Sequence, residues 1–342
     1  MATFDIVASL ASAFRDAPRQ MLQIPLVFTG FLIGAVLFYL LSKTGGQGTK
    51  RDCRSAIAFI LKRNLYSNPT TRVDVWNYVL AQVLWFPLMR VVLTIIATVL
   101  SVKVIYGALV ARFSPGTVLS PDTGRELIAF QVFVLFICSE FGAYAAHWSL
   151  HKIPLLWSFH RVHHSAEALT PFTRLRDHPL DVIWSALGRF TLAGIMASVI
   201  FFIVRTPPSG AAFKLFLATS LVSTYGFDLW RHCHIPISLG RLNYCFNSPV
   251  MHQVHHSAEP RHRDKNLGAE LMIFDWLFGS LYVPEGDESY RWGLNEDELG
   301  AKNPHLKLRD FYLEPFRYAV YHLPGRKSLV RTSLPGVSGG TQ

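Results

Sequence analysis

The chain has 342 residues, of which 50% are hydrophobic and only 16% charged, with a mean hydropathy of +0.26. That balance points away from an ordinary soluble domain and toward a membrane protein with substantial polar parts, and the spans that follow make it an all-α one. The net charge of +10 is explained more simply by basic loops facing anionic lipid than by nucleic acid, so no nucleic-acid partner is expected.

In chain order, the first candidate span is the uncharged run Ile24 to Leu41, IPLVFTGFLIGAVLFYLL, about as long as a bilayer core requires. It reads as a retained helix and not a signal peptide, because it begins late and lacks a small-residue cleavage site. Val79 to Leu100 is a second span, kinked or hairpin-like at Pro87 and Arg90, and Ile128 to Ala146 a third. Ile183 to Val204 and Ala211 to Trp230 follow as a hairpin joined by RTPPSG. Four to six transmembrane helices are therefore expected. The basic residues Lys43, Lys50, Arg51, Arg54, Lys62, Arg63 and Arg72 mark the first long loop as cytoplasmic. Two further crossings return the chain to that face at His147, where a cytoplasmic helical cap begins. Past Pro284 the chain is charged and turn-rich, and its last part reads as a disordered tail. The expected organisation is a membrane-anchoring region at 1–125, a catalytic domain at 126–284 and a polar tail at 285–342.

Three short segments carry the chemistry. HWSLH supplies His147 and His151, HRVHH supplies His160, His163 and His164, and HQVHH supplies His252, His255 and His256. Spacings of three and four residues place the imidazoles of each segment on one helical face. Single histidines are usually ordinary core or surface residues. Three such rows at a membrane boundary would repel and desolvate one another without a metal to bind. The hairpin geometry returns all three rows to the same side, so they can converge. Eight imidazoles exceed the demand of one tetrahedral ion and suit two. Imidazole fits iron, copper, nickel or zinc, and spacing leaves the metal open. Cys53, Cys138, Cys233 and Cys245 show neither a CxxC pair nor regular spacing, which argues against thiolate ligation. His262, His305 and His322 stand alone and read as surface residues.

These motifs resemble the integral-membrane fatty acid hydroxylase and sterol desaturase superfamily, marked by HxxxH, HxxHH and a second HxxHH around a dinuclear metal centre. The resemblance extends to TPFTRLRDHP, Thr170 to Pro179, which makes His178 a further implied ligand. It continues in LWRHCHIPISLG, Leu229 to Gly240, where His232 is taken as the ligand although His234 stands where many relatives carry asparagine. KNLGAELMIFDWLFGSLYVP, Lys265 to Pro284, resembles the family's closing segment. The family implies two iron ions, O2 as co-substrate, an external electron donor such as a ferredoxin or cytochrome b5-like protein with its reductase, and a lipid substrate. It further implies hydroxylation or desaturation of that lipid, in a bacterial inner membrane with the metal site facing the cytoplasm. No fused reductase motif is present. The competing function is metal transport or storage without redox catalysis. It fits less well, because transporters place ligands inside their spans and these rows follow them.

Metal-bound imidazoles usually donate their outer N–H to an acceptor that fixes the ring. Glu140, Glu167, Asp177, Asp181, Asp228 and Asp275 are the candidates, with an ion pair to Arg90 as the alternative role of Glu140.

Overall fold

In a computed structural model, which describes residues 31–36, 53–114, 124–285, 288, 291–295 and 303–321, the chain is built from helices. Among the described residues there are no strands, only the isolated bridges Phe246–Leu271 and Ser257–Trp292. Of the first expected span, residues 31–36 are helical and the remainder lies outside the described residues. Phe31 and Ala35 pack against Leu229, Cys233 and Ile235, so this segment touches the chain close to His232.

After two short helices, α1 (Cys53–Ile60) and α2 (Arg63–Tyr66), Asn68 caps α3 (Pro69–Leu80) by accepting from the Thr70 N–H. The second expected span is kinked. Its backbone widens into a π turn over Ala81–Trp85 and resumes as α4 (Phe86–Val99). Pro87 lies just past this turn and has no N–H to give to the preceding turn, so the normal ladder is broken there. Ser101 then caps α5 (Val102–Phe113).

The frame of the molecule is the antiparallel pair α6 (Arg125–Lys152) and α8 (Pro179–Ile203). Among the described residues, these are the two helices long and apolar enough to cross a membrane. Leu180, Trp184, Leu187, Ile195, Val199 and Ile203 are exposed along α8, an outward apolar stripe suited to lipid. The pair approaches closely because glycines face it. A Cβ on Gly142 would lie 2.7 Å from the Arg189 carbonyl oxygen, and one on Gly188 would lie 2.7 Å from the Ala146 Cβ. Gly142→Ala should therefore destabilise the protein by about 1–3 kcal/mol through overpacking. Thermal unfolding in detergent checks this, and an unchanged midpoint would contradict the close approach.

The last expected span is shorter than its hydrophobic run. Helix α9 (Gly210–Gly226) has 17 residues, roughly 25 Å at 1.5 Å per residue, below the ~30 Å of a hydrocarbon core. The chain breaks at Phe227 and makes one further turn, α10 (Asp228–Arg231), held by Arg231 donating to Asp228 and Glu270. The run to Trp230 is thus interrupted by buried ion pairs.

Pro154 stops α6 and opens α7 (Pro154–His164), with Ile153 alone between them, so the first two histidine rows sit on consecutive helices. The third row lies on α11 (Pro249–His255), followed by α12 (Ile273–Phe278). The segment past Pro284 departs from the expected polar tail. Helix α13 (Leu308–Tyr321) packs on α7, with Phe311 fully buried against Val73 and Val162. Two lone histidines expected at the surface are buried as well: His305 bonds Glu314 at 2.7 Å, and His262 meets the Tyr282 ring edge to face. Both are core groups, since a neighbouring acid or ring offsets their burial. His322 lies outside the described residues.

Candidate metal centre

The three rows converge, and His232 joins them. His147, His151, His160, His164 and His255 form one group, and His163, His232, His252 and His256 a second, with the candidate ligand atoms of each group all within 4.8 Å of one another. The groups adjoin, since the rings of His164 and His256 stack with centroids 4.8 Å apart. Consecutive residues of one HxxHH box therefore serve different groups: His163 turns to one, and His160 and His164 to the other.

Ring orientation follows from what each Nδ1 touches. A carbonyl oxygen only accepts, so Nδ1 carries the proton where His147 meets the Leu267 carbonyl (2.7 Å), His232 that of Asp228 (2.9 Å) and His255 that of Lys265 (2.9 Å). Each Nε2 is left with its lone pair. Carboxylates play the same part elsewhere: His160 Nδ1 lies 2.7 Å from Asp181, His163 Nδ1 2.9 Å from Asp177, and His151 Nδ1 3.2 Å from Asp264.

The Nε2 atoms then crowd together. His147 and His160 approach to 3.1 Å, His252 and His232 to 2.9 Å, and His256 and His252 to 3.1 Å. Two nitrogens bound to one ion at about 2.0–2.1 Å stand roughly 2.9–3.4 Å apart, so this spacing suits shared coordination. The Nε2 atoms of His151, His164 and His255 are buried with no hydrogen-bond partner. A set of buried lone pairs without protons to receive is costly unless a cation accepts them. Burial, reinforced by neighbouring imidazoles, holds His164, His252, His255 and His256 well below the usual histidine range. Burial likewise lowers His232 to about 3. These five rings are neutral at pH 7, as ligation requires, whereas His163 is raised, the Asp177 carboxylate outweighing its burial. The donor set fits transition-metal ions.

Several expected assignments change. His178 enters neither group; it caps α8, its Nδ1 accepting from the Leu180 N–H, and packs against Phe159 and Phe316. His234 turns away to the Phe59 carbonyl. Glu140 touches no histidine. It accepts from the backbone N–H groups of Glu270 and Leu271 and pairs with Arg189, while the side chain of its expected partner Arg90 lies outside the described residues. Glu167 accepts from Asn303. The Asp228 side chain is 3.9 Å from His232 and serves Arg231 and Arg174; its backbone carbonyl holds the ring. Asp275 acts one step away, accepting from the N–H groups of Leu267 and Gly268 and so fixing the carbonyl that His147 uses.

Sequence reasoning missed the loop 264–268. Asp264 and Asn266 both adopt positive φ, a conformation that Asp and Asn tolerate better than most residues. Asn266 clamps the loop by donating to the carbonyls of Met251 and Tyr282. Three partners from this loop thereby face the five-histidine group: the Asp264 carboxylate and the carbonyls of Lys265 and Leu267. The available signal was RHRDKN just after the third box, but no spacing rule links Asp264 to His151.

Asp181→Asn should weaken metal retention by about 10–100-fold with little loss of fold, because it disturbs His160 without removing a ligand. Competition with a chelator on the purified protein measures this. Retention equal to native would show that Asp181 does not orient His160.

Residues 132–280 match the fatty acid hydroxylase family. The boxes, α8, α6 from residue 132 onward and the loop 264–268 all lie in the matched segment, whereas α3 and α13, which brace it, lie outside. The chain is 31% identical over 168 residues to an ornithine lipid hydroxylase of Rhizobium tropici, a match covering 49% of this chain and 46% of that protein. It is 31% identical over 145 residues to the alkylglycerol monooxygenase of Homo sapiens, covering 42% and 29%. A very-long-chain aldehyde decarbonylase of Oryza sativa is 28% identical over 166 residues, covering 46% and 24%. The chain thus spans less than half the length of these relatives. No solved structure matches significantly.

Proposed function

We propose that the chain is a membrane-bound, O2-dependent oxidoreductase that hydroxylates a lipid, with its nine clustered histidines holding two iron ions. The observation that carries this reading is the convergence of nine largely buried imidazoles, their ligand atoms gathered in two adjoining groups at the end of two apolar helices. Histidine-only ligation admits several metals, and iron is preferred because the relatives' names denote hydroxylation and monooxygenation, which require a redox-active ion. In the proposed reaction a C–H bond becomes C–OH. One atom of O2 enters the alcohol and the other leaves as water, with two electrons and two protons from an external donor.

Iron, when bound, would supply O2 activation. The protein's own part is to hold the rings in one tautomer, through Leu267, Lys265, Asp228, Asp181, Asp177 and Asp264, and to keep bulk water from the buried nitrogens. With four to six spans, the site would face the cytoplasm of a bacterial inner membrane as a helical cap. A cavity lined by His151, Trp157, His164 and His255, with Glu259, Arg263 and Asp264 at its wall, would offer an approach for an electron-transfer protein.

The reading is tested by growing cells under heavy oxygen gas with the native chain or with His256→Ala, supplying candidate donors, and comparing lipids by mass spectrometry. A labelled lipid found with the native chain alone is the expected result. Indistinguishable lipid profiles would overturn the proposal and favour metal handling without redox chemistry.

A further inference from the structure

We propose, resting on the lipid-oxidation reading above, that the substrate presents its anionic headgroup to the metal centre, so that the oxidised carbon lies within a few bonds of that headgroup. A cavity of about 230 Å³ is lined by His147 from one histidine group and His252 from the other. The rest of its wall is rich in charge, with Arg174, Arg189, Arg231, Glu140, Asp228 and Glu270 beside hydroxyls of α9, while Phe136 and Ala269 add an apolar part. A site for the middle of an acyl chain would be expected to be apolar, because hydrocarbon placed against charged groups strips them of water without replacing their hydrogen bonds. The protein does have such a space elsewhere: an apolar cavity of about 940 Å³ bordered by Leu93, Ala97, Leu135 and Phe201, with no histidine in its lining.

The charge within the polar cavity is unevenly committed. All six carboxylate oxygens are engaged: Glu140 by Arg189 and two backbone N–H groups, Asp228 by Arg174 and Arg231, and Glu270 by Ser223 and Arg231. Arg231 is engaged through all three of its nitrogens, but the other two guanidinium groups are not. Among the described residues, Arg174 donates only through Nε, to Asp228, and Arg189 only through Nε and Nη2, to Ser139 and Glu140. The unused donors match a carboxylate or phosphate, the two anions that arginine binds best. Glu140 lies about 10 Å along α6 from His147, at 1.5 Å per residue, so the cavity runs from the metal centre toward the middle of that helix.

The test is the position of the label in the heavy-oxygen experiment, read by fragmenting the labelled lipid, together with the lipids that copurify with the native chain and with Arg174→Gln. The expected label is in the headgroup or within the first few carbons attached to it. The lipid class then tells a phosphate headgroup from a carboxylate one. In Arg174→Gln, copurified anionic lipid and labelled product should each fall about tenfold, the effect of one charge-assisted hydrogen bond, with metal content at the native level and partial recovery in Arg174→Lys. A label deep in an acyl chain, or on a lipid with a neutral headgroup, would overturn this inference while leaving lipid oxidation standing. So would unchanged lipid binding and product in Arg174→Gln. If that variant loses metal, the label position in the native chain decides alone. Absence of any labelled lipid would overturn both proposals.

Discussion

His256→Ala is expected to lose bound metal and more than about 100-fold of activity while still inserting in the membrane with native helix content. His256 has no exposure, its Nε2 lies 3.1 Å from that of His252, and its ring is 4.6 Å from His163 in centroid distance. Removing an outer hydrogen-bond partner of a ligand already costs about 10–100-fold, so removing a direct ligand should cost more. The fold should survive, because deletion removes one of the buried lone pairs that crowd together when no metal is bound. Two controls sharpen the expectation. His178→Ala and His234→Ala should keep their metal, since one ring caps α8 and the other bonds the Phe59 carbonyl. Elemental analysis of the four purified proteins separates the cases. Full metal in His256→Ala, or loss in both controls, would refute the grouping.

Arg176→Leu is expected to destabilise the protein by about 3–5 kcal/mol, through loss of one partner of a buried ion pair. Arg176 has no exposure and pairs with Asp74, which is equally buried. Its Nε donates to the Val162 carbonyl at 2.8 Å, and Nη2 donates to Ser165 at 2.8 Å and to the His305 carbonyl at 3.2 Å. One side chain thus ties α3, the histidine-bearing end of α7 and the segment leading into α13. It is also adjacent to Asp177, the partner of His163. Metal retention should fall with stability. The double substitution Asp74→Leu with Arg176→Leu should recover part of the loss, because the orphaned carboxylate is then gone. Denaturation midpoints of the single and double variants test this, and a neutral single substitution would contradict it.

The histidine rows were legible because their signal is local: spacings of three and four residues on a helix need no knowledge of the rest of the chain. Asp177 and Asp181 were legible for a similar reason, lying shortly after the second box. Partners set by loop shape were not. Asp264 reaches His151 only because Asp264 and Asn266 take left-handed conformations, and the carbonyls of Lys265 and Leu267 carry no residue-type signal at all. Glu140 was misplaced because the partner of an acid inside an apolar helix depends on the register of the facing helix, which brings Arg189 opposite. His178 was assigned by resemblance, yet a residue just before Pro179 stands where a helix cap is needed. The C-terminal helix was hidden by its charged composition and the internal Pro315, while its packing rests on a few positions such as Phe311.

The most direct measurement is the number and identity of transition-metal ions per purified native chain. Two irons per chain, lost together with activity on chelation and regained with it on adding iron, is the expected result. A single ion, or none retained under conditions that preserve the helical fold, would contradict a two-metal centre built from these nine histidines.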